Sequence, residues 1–97
     1  VTLLDNQTDT SFLTASASVN KYMVIEYSIE RGSNNQIGRM LVVNNGTTAS
    51  ISDDNVNTAS VGVTFDASIS GSDIILTYST TNTGNTGTLK LVKRRWT

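Results

Sequence analysis

With 97 residues the chain has room for one small domain, and the absence of cysteine and histidine removes disulfides and the ordinary zinc ligand sets as ways of stabilising it. Net charge is −1 and charged residues are 15% of the chain, against about a quarter in a typical soluble domain. Thr, Ser and Asn fill the difference, which disfavours helix interiors and leaves self-association as the remaining aid to a marginal core. Apolar residues fall in patterned runs, unlike those of a disordered low-complexity segment. No apolar run approaches the length that spans a membrane. The chain opens on Val1 rather than Met, so it is expected to be a fragment or processed product. Residues 1–97 are read as a single domain, with 1–20 supplying an edge strand and a linker to an upstream part.

In chain order, Val1 to Leu4 and Phe12 to Leu13 read as short edge strands. Tyr22 to Arg31 alternates with period two: Met23, Ile25, Tyr27 and Ile29 share one face, and Glu26, Ser28 and Glu30 the other. Gly32 to Gln36 is a polar break. Ile37 to Val43 is apolar on both parities, which predicts a central strand. Asn45-Gly46 is a strong hairpin signal, with Thr47 to Ser52 as the return strand. Asp53 to Ser60 reads as a polar loop. Val61, Val63, Phe65, Ala67 and Ile69 alternate without a miss. Gly71-Ser72 suits a two-residue type II′ turn. Asp73 to Thr81 is the next strand, Asn82 to Thr86 a loop, and Gly87 to Trp96 the last strand. The sum is an all-β, antiparallel, jelly-roll-like β-sandwich of about seven to eight strands.

If successive strands from Tyr22 onward run antiparallel, alternate loops share an end. The segments Gly32–Gln36, Asp53–Ser60 and Asn82–Thr86 then gather at one end, and the two tight turns at the other. Ligand contacts sit disproportionately on loops held by a rigid scaffold. Asn34, Asn35, Asp54, Asn55, Asn82 and Asn85 are therefore the candidate ligand or receptor residues. The competing explanation is that Asn is in loops because it forms turns.

The residues do not point to an enzyme. A serine nucleophile needs a base, histidine is absent, and no motif surrounds Lys21, Lys90 or Lys93. Glu26 and Glu30 share a strand face, but a small sandwich offers no deep cleft in which to raise a carboxyl pKa. No cofactor-binding pattern is present. Asp53, Asp54, Asn55 and Asn57 cluster oxygen ligands suited to calcium, but without the spacing of a known loop; a solvated turn is preferred, and no metal is assigned. Lys90, Lys93, Arg94 and Arg95 with Trp96 could form a nucleic-acid footprint. Pairing of this basic stripe with Glu26 and Glu30, on an adjacent strand or subunit, is preferred, with Trp96 anchoring the last strand. No nucleic acid and no membrane insertion are expected. Asn6-Gln7-Thr8 and Asn45-Gly46-Thr47 match the N-glycosylation pattern, which arises by chance in so Asn- and Thr-rich a chain.

Taken together, Gly62-Val63-Thr64-Phe65, Ser70-Gly71, Leu76-Thr77-Tyr78, Ser79-Thr80-Thr81-Asn82-Thr83-Gly84, Gly87-Thr88-Leu89-Lys90 and the terminal Lys93-Arg94-Arg95-Trp96 resemble the C-terminal domains of tailed-bacteriophage fibre and appendage proteins. Upstream, Glu26-Tyr27-Ser28-Ile29 and Leu41-Val42-Val43 fit the same texture of strands and turns. The resemblance spans roughly Tyr22 to Trp96. It implies a non-enzymatic virion structural domain, usually a homotrimer, acting in host attachment or fibre trimerisation. Its implied partners are a bacterial surface glycan or protein receptor and other virion proteins. Met23, Met40 and Phe12 are candidates for packing between subunits, although Met23, on the buried parity of its strand, is read as core. The alternatives are a carbohydrate-binding sandwich module, or a capsid decoration or head-fibre domain. Carbohydrate modules usually present aromatic platforms, and Tyr27, Phe65 and Tyr78 sit on faces expected to be buried.

Overall fold

Alternation in the sequence becomes two antiparallel sheets in the computed structural model, which describes residues 1–96. Its strands are β1 (Thr2–Leu3), β2 (Thr10–Ser16), β3 (Tyr22–Arg31), β4 (Asn34–Asn44), β5 (Ala49–Asn57), β6 (Val63–Ser70), β7 (Asp73–Thr80) and β8 (Gly87–Arg95). The larger sheet has the order β1-β8-β3-β4-β5 and the smaller β2-β7-β6. The described residues are therefore all-β, with eight strands in two sheets. Its strand order is not a regular exchange between sheets, because β3, β4 and β5 form a meander within one of them.

One core lies between the sheets. Met23, Ile25, Tyr27 and Ile29 of β3, Met40 and Val42 of β4 and Leu89 of β8 face Ile74, Leu76 and Tyr78 of β7. Burial of each large aliphatic side chain stabilises the fold by about 1.5–3 kcal/mol. An aromatic edge joins the layers where Tyr27 of β3 meets Phe65 of β6 at 5.2 Å between ring centroids, and within the smaller sheet Phe65 meets Phe12 at 5.6 Å. Met40 is fully buried within the chain and so belongs to this interior, whereas Phe12 packs on Phe65 and Tyr78 but stays half-buried at its margin. Met23 is core, as its parity indicated.

Four expectations need correction. The break at Gly32 to Gln36 is only the turn Gly32-Ser33, because Arg31 already pairs with Asn34. Gly32 has φ +60°, as does Gly71 in the turn Gly71-Ser72, so one Gly-Ser sequence makes both two-residue hairpins. Asn45-Gly46 does not close a two-residue hairpin; Asn44 pairs with Ala49, and the amide oxygen of Asn45 accepts from the N–H groups of Thr47 and Thr48, widening the loop. The expected loop from Asp53 begins as strand, because β5 pairs with β4 through Asn57. β2, finally, is seven residues long rather than a fragment at Phe12–Leu13. β4 is central in its sheet, but only one of its faces is covered: Met40 is buried while Ile37 is 66% exposed.

Candidate functional site

Three connections cross between the sheets at the same end: β1 to β2, β5 to β6 and β7 to β8. Two of them, β5 to β6 and β7 to β8, bring backbone carbonyls outside the strand ladders, the first brings the Asp5 carboxylate, and such acceptors need donors. Arg31 supplies them. It follows Met23, Ile25, Tyr27 and Ile29 on the inward parity of β3 and is 4% exposed. Its Nε donates to Asn85 O at 3.0 Å, and its Nη1 to Val61 O at 2.9 Å and Gly62 O at 3.3 Å. Its Nη2 donates to Thr81 O and to the Asp5 carboxylate, each at 2.6 Å. One guanidinium thus ties all three crossings together, using the five-donor fork that only arginine has. Asp5 also accepts from the N–H of Thr83 at 2.9 Å and of Gly84 at 3.1 Å. The Thr83 amide, with Gly84 and Arg31, holds its carboxyl below the usual aspartate value.

Around this hub stand four of the six candidate residues. Asn34 opens β4 opposite Arg31. Asn35 is exposed, and its backbone exchanges bonds with Thr58. Asn82 and Asn85 lie exposed in the β7–β8 connection, with the Asn85 amide beside Gly32. Among the described residues, no hydrogen bond within the chain uses the side-chain amide of Asn34, Asn35, Asn82 or Asn85. The amides of Asn20, Asn44, Asn45 and Asn57, by contrast, are engaged.

The other two candidates, Asp54 and Asn55, are not part of the cluster. They pair with Arg39 and Gly38 inside β5, about 7–10 Å along the strand from its Asn57 end. Alternation also directs Asp53 and Asp54 to opposite faces, which removes the oxygen cluster considered for calcium. Asp53 instead accepts a 2.6 Å bond from the Tyr27 hydroxyl, which accepts from Gln36 Nε2 at 3.0 Å. Burial, and donation to Asp53, push the Tyr27 phenol above its ordinary pKa. Tyr27 lies across Gly38, where a Cβ would come within 2.6 Å of the ring and hydroxyl.

Sequence reasoning missed Arg31 as the organiser of the loop end. The signal was its place on the buried parity of β3. Also missed was the outer face of the larger sheet, where Tyr22, Val24, Leu41, Val43 and Trp96 surround an open hollow of about 1040 Å³. Trp96 extends the β3–β8 pairing by donating its N–H to Tyr22 O, but its side chain is 56% exposed and does not anchor the strand by packing. Of the basic stripe, Arg94 pairs with Glu26 at 2.9 Å on the adjacent strand. Comparison of the chain with protein-family models, curated proteins and solved structures finds no match in any of the three.

Proposed function

We propose that this domain is a non-enzymatic interaction module, a virion structural domain of a tailed-bacteriophage tail fibre or appendage. In this reading it assembles as a homotrimer and presents its Arg31-centred loop end to a bacterial surface glycan or protein. The observation that carries the reading is the group of four unengaged asparagine amides on a scaffold locked by one buried arginine. Each amide offers donors and an acceptor, which suits sugar hydroxyls and backbone groups alike, and a rigid base lowers the entropy cost of presenting them. Several copies in one assembly would multiply a weak contact through avidity.

The test is binding of the chain to an array of bacterial envelope polysaccharides and outer-membrane proteins. Wild type is expected to bind a surface component. The combined variant Asn34→Ala, Asn35→Ala, Asn82→Ala, Asn85→Ala is expected to lose at least about tenfold in affinity, or about 1.4 kcal/mol, with an unchanged Tm. Equal binding by the variant would remove the loop end as the site.

One observation favours the carbohydrate-binding module as a second reading: Tyr22 and Trp96 are neighbours, both more than half exposed. Trp96 is the only tryptophan, so its fluorescence reports occupancy of that platform directly. A fluorescence change on adding glycan that survives the asparagine substitutions would select this reading.

A further inference from the structure

The outer face of the larger sheet carries a row of alternating charge. Asp54 of β5 pairs in register with Arg39 of β4, and Arg39 with Glu26 of β3. Glu26 in turn holds Arg94 of β8 at 2.9 Å. Arg94 stands one rung along, opposite Val24, and its side chain reaches back to Glu26, so across four adjacent strands the charged groups run minus, plus, minus, plus. Among the described residues, Asp54 and Arg39 enter no ion pair within the chain. On one side of this row lie Val24, Leu41, Tyr22, Val43 and Trp96; on the other, Ile37 and Val56, which are cross-strand partners 66% and 73% exposed. Exposed apolar side chains grouped on both sides of a charged row, on one face of a small domain, mark a contact surface.

We propose that this face is where copies of the chain meet, around a rotation axis parallel to its strands, with the charge row setting the alignment. The proposal deepens the homo-oligomer part of the functional reading and rests on it. The occupant follows from symmetry. Rotation about an axis along the strands, placed between β3 and β4, preserves position along the strand and exchanges left for right. Arg39 of one copy then meets Glu26 of the next, and Asp54 meets the Val92 position of β8, toward which the guanidinium of Arg94 reaches to bind Glu26. A row whose signs reverse about its centre is complementary to itself under this operation, whether the axis relates two copies or three.

The neighbouring rungs obey the same operation. Leu41 meets Val24, and Val43 meets Tyr22, because these are the outward pairs of β4 and β3. Ser28 meets Ile37, and the aliphatic stem of Lys90 covers Val56, as long lysine side chains do. An axis across the strands would instead set Asp54 against Asp54 and Glu26 against Glu26. Like charges juxtaposed at an interface cost several kcal/mol, so the row selects one orientation and rejects the other.

The test measures the mass of the chain in solution by light scattering, with Trp96 fluorescence as a reporter of the face. Wild type is expected to run as two or three copies with Trp96 in an apolar environment. Asp54→Arg sets like charges together and is expected to give one copy with a solvent-exposed Trp96 spectrum. Adding Arg94→Glu to it reverses both ends of the row and is expected to restore the assembly. Val43→Lys, on the exposed surface, is expected to dissociate it independently of the charges. A monomeric wild type overturns the proposal and the homo-oligomer reading together, and leaves the loop-end reading to its own test. An oligomer that persists in Asp54→Arg and Val43→Lys, with an exposed Trp96, overturns the proposal alone, because the copies then meet elsewhere.

Discussion

The two ends of the molecule solve the same problem with different residues. At one end Arg31, the last residue of β3, donates to four carbonyls and one carboxylate. At the other end Asn44, the last residue of β4, donates to the carbonyls of Ala17 and Asn20 at 3.2 and 3.0 Å and accepts from the N–H of Gly46 at 2.9 Å. Both side chains occupy the inward parity one step beyond the apolar core. The difference between them follows the chain path. Three connections cross between sheets at the Arg31 end, whereas β2 to β3 alone crosses at the Asn44 end. The number of stranded carbonyls decides whether an amide suffices or a guanidinium is needed. It also decides which end keeps unengaged side-chain amides, since four asparagines at the Arg31 end are spared from holding their own loops.

The comparison is broken most severely by removing the larger hub. Arg31→Met is expected to cost about 3–5 kcal/mol, because it takes the donor from carbonyls of two crossings and the charged partner from Asp5 of the third. Urea unfolding followed by circular dichroism would measure it. A loss below about 1 kcal/mol would mean that water can replace the guanidinium and that the loop end is not held by it. Asn44→Ala is expected to cost less, about 1–3 kcal/mol, since it orphans the carbonyls of one crossing. The same unfolding experiment ranks the two, and a larger effect at Asn44 would reverse the proposed hierarchy.

Acid sharpens the contrast with the smallest effect. Asp5 is the one ionised acceptor in either hub, and its folded pKa is depressed. Its contribution is therefore fully present above the unfolded aspartate value of about 3.9 and is lost as pH falls through the lower folded value. Melting curves of wild type and Asp5→Asn should differ at neutral pH and converge below that window. The gap between wild type and Asn44→Ala should stay constant over the same range. An Asp5→Asn gap of the same size in acid would show that the carboxylate charge does not matter there.

Much of this was legible in the residues. The span of β3 was read to the residue, from Tyr22 to Arg31, because its alternation is uninterrupted and Gly32 ends it. The turn at Gly71-Ser72 was read from its chemistry, and the identical Gly32-Ser33 could have been found the same way. β5 was cut short because Asp53, Asp54, Asn55 and Asn57 are poor strand formers by composition. Pairing with β4 and the bond from Tyr27 to Asp53 outweigh that preference. This is why Asp54 and Asn55 were placed in the ligand loops and belong to the sheet. The gathering of Asn34, Asn35, Asn82 and Asn85 at one end followed from strand direction alone.

By itself, the sequence determined the strand class, most of the strand limits and the inward parity of β3 on which Arg31 lies. These are local properties, set by period two and by what glycine permits in a turn. Only the tertiary structure decided which asparagines are consumed by their own backbone and which remain free. It alone turned Asp54, Arg39, Glu26 and Arg94 into one row, because register aligns the first three and the pairing of β8 with β3 brings the Arg94 side chain within reach of Glu26. It also showed that three of the five apolar residues of β4, Ile37, Leu41 and Val43, face outward, since a strand's two faces are buried by different neighbours and the sequence does not say whether the second neighbour is present.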